Sequence, residues 1–184
     1  RRPEESRPFE MPALCPECGD PVVRFEGEVA TRCINPECPA VRQETIRHFV
    51  SRNAMDIEGL GDERIAQLVA AGLLKDIPGL YRLERETLAA LPGWGEKSAD
   101  NLLASLAESR HRPLARLLFG LGIRMVGERT AKLLAQHFGS LAALAAASEE
   151  ELQVVDEIGP KVAASVRAFF AEPDSERLAQ SLRR

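Results

Sequence analysis

From position 41 onward the apolar residues recur at helical spacing, and there is little sign of strands. Residues 41–52 place Ile46, Phe49 and Val50 on one face, which predicts a helix. Gly59-Leu60-Gly61 precedes a second stripe of Ile65, Leu68 and Val69, and Leu102, Leu103 and Leu106 continue a third. Ser148-Glu149-Glu150-Glu151 reads as a capping box that opens another helix. Ahead of position 41, residues 22–31 read as a short β-hairpin set between two pairs of cysteines. The expected fold is mainly α, a small four-Cys finger followed by helices.

The helical part repeats itself. Leu91-Pro92-Gly93-Trp94-Gly95 precedes Glu96-Lys97-Ser98-Ala99, Met125-Val126-Gly127 precedes Glu128-Arg129-Thr130-Ala131, and Glu157-Ile158-Gly159 precedes Pro160-Lys161-Val162-Ala163. With Gly61, the second glycines 95, 127 and 159 are separated by 34, 32 and 32 residues. Four residues beyond each stands Ile65, Ala99, Ala131 or Ala163, mostly the small side chain that a close helix crossing requires. Such a period predicts four helix-hairpin-helix units, with hairpins near 59–61, 93–95, 125–127 and 157–159.

A Gly-h-Gly turn can take φ > 0 and brings bare backbone near a ligand. The first N–H groups of the following helix lack internal partners and carry the positive end of its dipole, so a phosphate fits there. Lys97, Arg129 and Lys161, each two residues past the last Gly, would add charge to that contact; the first copy has Glu63 there. A single G-x-G before a helix is more often an ordinary capped turn, but four copies in register favour DNA backbone as the ligand. The expected contacts are Gly59, Gly61, Gly93, Gly95, Lys97, Arg124, Gly127, Arg129, Lys132, Gly159 and Lys161. Copies three and four carry Met125 and Glu157 in place of the first Gly, which favours a packing role for them, although Arg124 and Arg129 flank the third. Charge and glycine content rank the hairpins second, third, first, fourth as phosphate sites.

All four cysteines lie between positions 15 and 38, as Cys15-x2-Cys18 and Cys33-x4-Cys38 with fourteen residues between. Two thiolate pairs on tight turns can converge on one tetrahedral ion, zinc first and iron as its competitor. Four thiolates leave no position for a catalytic water, so the site is structural. Two disulfides or unligated thiols are the alternative; a cytosolic chain disfavours the first, and confinement of every Cys to one 24-residue window disfavours chance.

Composition changes the picture little. Of 184 residues 45% are hydrophobic and 28% charged, as in a globular protein of one domain or two small ones. No run approaches the ~18 apolar residues of a membrane span, and the first residues carry no apolar signal core, so the expected location is the cytoplasm. The net charge of −4 argues against nucleic acid only in bulk. Arg110, Arg112, Arg116, Arg124, Arg129 and Lys132 form a basic stretch against one acid, Glu128, while Glu149–Glu151, Asp156 and Glu157 gather acid elsewhere.

Trp94 at a hairpin tip could wedge into a groove, but the middle hairpin position is more often a plug between the two helices. His48, His111 and His137 stand on separate elements with no cysteine or carboxylate constellation. No catalytic residue is expected anywhere in the chain.

The order of these motifs resembles the bacterial NAD-dependent DNA ligases. The four-Cys cluster, Ile46-Arg47-His48-Phe49-Val50-Ser51-Arg52, Ala54-Met55-Asp56-Ile57-Glu58-Gly59-Leu60-Gly61 and residues 95–102 and 121–128 carry the resemblance. It implies a barrel tail over 1–13, a zinc finger over 14–40 and a four-hairpin domain over 41–184. It further implies a grip on the minor-groove side of nicked duplex DNA, within an enzyme that seals 5′-phosphate/3′-hydroxyl nicks in replication and repair. The family's adenylating K-x-D-G motif and its BRCT domain have no counterpart here. NAD and Mg2+ are therefore expected only in a full-length enzyme, and this segment is not expected to be catalytic by itself. The alternative is a non-catalytic DNA-binding scaffold of a recombination or repair complex; there one hairpin unit typically precedes the zinc site, whereas here four follow it.

Overall fold

The computed structural model describes residues 9–25, 27 and 29–172. Most of the barrel tail expected over 1–13, and the last residues of the 41–184 domain, lie outside the described residues. The chain divides into a small unit within residues 1–42 and a larger one within 43–184.

In the small unit, β1 (Val22–Arg24) and β2 (Thr31–Cys33) pair antiparallel, with Val22 opposite Cys33 and Arg24 opposite Thr31. The hairpin thus runs two residues further than the pattern indicated, and it delivers Cys33 directly from the end of a strand. Leu14 and Pro21 form a single bridge that closes the first cysteine turn. Helix α1 (Pro39–Val50) begins immediately after Cys38. Its start precedes the expected position 41 because Pro39 occupies the first helical turn, where a missing N–H costs nothing.

The larger unit is all helix among its described residues, as expected. Four helices follow the four hairpins: α2 (Asp62–Ala70), α3 (Glu96–Ser109), α4 (Glu128–Phe138) and α5 (Pro160–Ala171). Each starts one residue after its second glycine. Ile65, Ala99, Ala131 and Ala163, at the fourth position, are at most 1% exposed, so this position faces the core in all four copies. The middle hairpin residues Leu60, Val126 and Ile158 are buried, and Trp94 is half-buried against the same core. Shorter helices connect the units, among them one over Glu149–Gln153. There the Ser148 hydroxyl accepts from the Glu151 N–H at 3.2 Å and the Glu151 carboxylate accepts from the Ser148 N–H at 2.8 Å. The capping box read from the sequence is real.

The hairpins are held in pairs, each by the helix of its partner. The Gln67 side chain on α2 donates to the Pro92 carbonyl of the second hairpin at 2.9 Å, while Ser105 on α3 accepts from the Glu58 N–H of the first at 2.8 Å. In the second pair, Ser165 on α5 donates to the Arg124 carbonyl of the third hairpin at 2.6 Å, and Arg129 on α4 pairs with Glu157 of the fourth. Gln67 and Ser165 both stand six residues after a second glycine, and Pro92 and Arg124 both stand three residues before one. The repeat in sequence is a repeat in hydrogen bonding.

A candidate metal centre and a candidate nucleic-acid interface

The four sulfurs converge. Cys15 Sγ lies 3.9 Å from Cys38 Sγ and Cys18 Sγ lies 3.6 Å from Cys33 Sγ, with all four within 4.8 Å of one another. A zinc ion with Zn–S bonds of about 2.3 Å separates its ligands by about 3.8 Å at the tetrahedral angle. Disulfide sulfurs lie at about 2.05 Å, so these are free thiols spaced for a metal.

The turns that present the thiols are built locally. Gly19, just past the first pair, adopts φ +79° and donates to the Cys15 carbonyl at 2.9 Å. The Asn35 side chain accepts from the Glu37 N–H at 2.8 Å and donates to the Asp20 carboxylate, tying the second turn to the first. The N–H groups of Cys18 and Glu17 favour the Cys15 thiolate and bring its pKa down to about 7. At Cys18 the Asp20 N–H acts the same way, yet desolvation and the neighbouring sulfurs push that thiol up to about 12. Four thiolates this crowded need a cation, and a divalent ion supplies it.

At the hairpins the backbone repeats even where the residue does not. Gly59 and Gly93 have φ of +89° and +76°, and Met125 and Glu157 at the corresponding positions both have +64°. Non-glycine residues occupy this left-handed region at a cost, so the fold imposes the turn on all four copies. Copies three and four, which lack a first Gly, thus keep the same turn and differ from the others in side chain.

The second glycines behave in the opposite way. Gly61, Gly95, Gly127 and Gly159 are helix N-caps with φ of −82°, −150°, −83° and −85° and ψ near 180°, an extended backbone open to any residue. A Cβ built on any of them meets nothing within 4 Å. Nothing inside the molecule requires glycine there. All four are exposed, and three of the helices have no side-chain cap; at α3 the Ser98 hydroxyl accepts from the Gly95 N–H at 3.0 Å.

The basic residues divide into two groups. Lys97, Lys132 and Lys161 are exposed and have no ion-pair partner among the described residues. Arg129 is exposed and paired with Glu157, and Arg124 contributes its carbonyl to the bond from Ser165. Within the basic stretch, Arg110, Arg112 and Arg116 make contacts inside the molecule, while Arg124, Arg129 and Lys132 are exposed. Arg110 stacks on Tyr81 at 4.5 Å, Arg112 bonds Asp56 at 3.1 Å, and Arg116 holds the carbonyls of Ala54 and Arg52. Long-range acceptors carry no periodic signal, so a count along the chain missed this.

Sequence reasoning also missed Arg64. Its guanidinium lies 4.3 Å from the centroid of Trp94 and donates to the Gly59 carbonyl at 3.0 Å, while the Trp94 indole N–H donates to Gln67 at 2.7 Å. Trp94 therefore plugs the hairpin pair and has its polar edge satisfied, as the packing reading expected. His48, bonded to the Phe119 carbonyl at 2.8 Å, is structural.

Comparison with known proteins finds three matching segments. Residues 15–40 match the NAD-dependent DNA ligase C4 zinc finger domain, residues 51–108 the SAM-like helix-hairpin-helix tandem, and residues 116–179 the helix-hairpin-helix motif. The chain is 52% identical over 181 residues to a DNA ligase of Halalkalibacterium halodurans, covering 98% of this chain and 27% of that protein. It is 50% identical over 182 residues to a DNA ligase of Bacillus subtilis, covering 99% of this chain and 27% of the relative. A DNA ligase of Koribacter versatilis is 50% identical over 180 residues, 98% of this chain and 27% of its own length. The chain thus spans about 27% of the relatives it matches. No described helix is long and apolar enough to cross a membrane.

Proposed function

We propose that this chain, which belongs to the NAD-dependent DNA ligase family by its C4 zinc finger and its tandem helix-hairpin-helix units, serves as the DNA-gripping portion of a longer ligase. That enzyme seals 5′-phosphate/3′-hydroxyl nicks in replication and repair, in the cytoplasm, using NAD and Mg2+ bound by other parts of the protein. The portion present here holds a structural zinc at Cys15, Cys18, Cys33 and Cys38. Its hairpins take backbone phosphates of nicked duplex from the minor-groove side.

One observation carries the reading. Four exposed glycines cap four helices, and neither their φ values nor any internal contact asks for glycine. Serine or aspartate would cap these helices better. Glycine at all four is accounted for by an external group that approaches the backbone closer than a side chain permits. The first N–H groups of each helix, its dipole and the adjacent Lys97, Arg129, Lys132 or Lys161 make that group an anion. Gly59 and Gly93 supply the left-handed turn in copies one and two, and Arg124 and Gly127 frame the third.

The test is titration of the chain against a labelled nicked duplex over a salt series. Binding should weaken as salt rises, with a log–log slope of about −0.9 per phosphate contacted, and shuffling the base sequence should change affinity less than about tenfold. Binding that ignores salt, or that demands one sequence, overturns the proposal.

A further inference from the structure

Glu157 occupies the first hairpin position of the fourth unit and pairs with Arg129, on the first turn of α4 in the third unit. In the other hairpin pair the same two positions hold Gly93 and Glu63. At these two positions the first pair has an acid and a glycine, and the second has a cation facing a carboxylate. Glu157 takes that position in a left-handed backbone at φ +64°, which glycine would adopt without strain. Its N–H donates to the Asp156 carboxylate at 3.1 Å within the turn. An acid is kept where glycine is conformationally better, opposite a basic residue that stands two positions after a second glycine.

We propose that Glu157 is an internal stand-in for a DNA phosphate: it holds Arg129 in the free chain and yields it when backbone phosphate reaches the start of α4. The inference rests on the phosphate-binding reading above and refines it. Arg129 is 79% exposed and Glu157 42%, so a phosphate has access to the guanidinium without any rearrangement of the core. A carboxylate and a phosphate oxygen offer Arg the same charge-assisted acceptor, so the two compete for one site. The third unit then binds DNA more weakly than its charge suggests, because each encounter first breaks an ion pair.

The experiment compares the 184-residue protein with Glu157→Gln, Glu157→Gly, Arg129→Ala and the Arg129→Ala/Glu157→Gln double variant, titrated with the same nicked duplex. Both Glu157 variants should bind about twofold to fivefold tighter at low salt, the scale of one exposed ion pair. Arg129→Ala should abolish that gain, so the double variant binds like Arg129→Ala alone. Thermal melts accompany each variant, and Glu157→Gly should be at least as stable as its parent because it relieves the left-handed turn. Unchanged affinity in both Glu157 variants, or an equal gain in the Arg129→Ala background, overturns the proposal; the latter would reduce Glu157 to a diffuse negative field. If the parent chain shows no salt-dependent binding at all, the phosphate-binding reading falls and this inference with it, an outcome separable from the other two by the parent titration alone.

Discussion

Arg116 donates from its Nε to the carbonyl of Ala54 at 2.5 Å, from a helix sixty-two positions further along the chain. The same guanidinium bonds the Arg52 carbonyl and lies 4.0 Å from the Asp56 carboxylate, which Arg112 also holds. The loop from Ser51 to Ile57 is therefore pinned by two arginines, and Asp56 is carried through φ +54° at its bend. That loop leads directly into the first hairpin.

Arg116→Ala should accordingly act on stability. Two carbonyls lose a charged donor in a half-buried site, a loss of about 1–3 kcal/mol. Thermal melts should register it, while the salt slope of DNA binding at equal folded fraction should be unchanged. A slope reduced by about one would return Arg116 to the phosphate contacts.

Glycines offer a second contrast. A Cβ on Gly120 would lie 3.2 Å from Ala54 Cβ and 3.3 Å from Phe49 Cδ2, both held in the core. Gly120→Ala should destabilise by about 1–3 kcal/mol through overpacking. Gly127→Ala, with an extended backbone and open space above it, should leave the melt unchanged or slightly raised and weaken DNA instead.

The sequence made the repeat, the cysteine cluster and the core-facing fourth positions legible because each is local or periodic. Ala99, Ala131 and Ala163 could be picked out by counting four from a glycine, and they are buried. The fates of Arg110, Arg112 and Arg116 could not be read this way, since Tyr81, Asp56 and Ala54 lie at no fixed interval from them. The left-handed φ of Met125 and Glu157 was not legible for another reason: residue identity at the first hairpin position is a poor guide to the turn when packing on both sides dictates φ. Trp94 was placed correctly, yet its partners Arg64 and Gln67 come from the neighbouring unit and left no local mark.

Metal removal should unfold the small unit alone. Residues 14–40 have short strands and few buried side chains beyond Cys15 and Cys38, so metal binding, on the order of 10–16 kcal/mol for such sites, supplies most of their stability. Elemental analysis should find one zinc per chain. A strong chelator should collapse amide dispersion for residues 14–38 while the signals of α2 to α5 persist; an ordered finger without metal would refute a structural zinc.

Acid should selectively undo one tie on the second unit. Arg85 bonds Asp100 at 2.6 Å and Glu96 at 3.2 Å, and the hydrogen bond from Arg85 holds the Asp100 carboxyl below the usual range. A depressed folded-state pKa contributes stability above the ordinary carboxylate value and loses it as pH falls through the depressed one. Asp100→Asn should lower the melting temperature modestly at pH 7, because the pair is exposed, and the difference from the parent should vanish once the pH has fallen through the depressed carboxyl.

The ranking of the hairpins gives the strictest check on how phosphate is held. The second copy combines Gly93, Gly95 and exposed Lys97, and its helix start carries a single acid, Glu96, already engaged by Arg85. The first begins with Asp62 and Glu63, which repel phosphate. The third has Arg129, offset by Glu157, and Lys132. The fourth loses one donor to Pro160 and has Glu157 in its turn. The order expected is second, third, first, fourth. Gly95→Val should weaken nicked-duplex binding by about 1–3 kcal/mol, and Lys97→Ala should reduce the salt slope by about one. Gly159→Val should weaken DNA binding too, but less than Gly95→Val; its φ of −85° suits valine and its Cβ meets open space, so folding is spared. If Gly159→Val weakens binding more than Gly95→Val at equal stability, the backbone N–H groups outweigh the neighbouring charges and the order must be inverted.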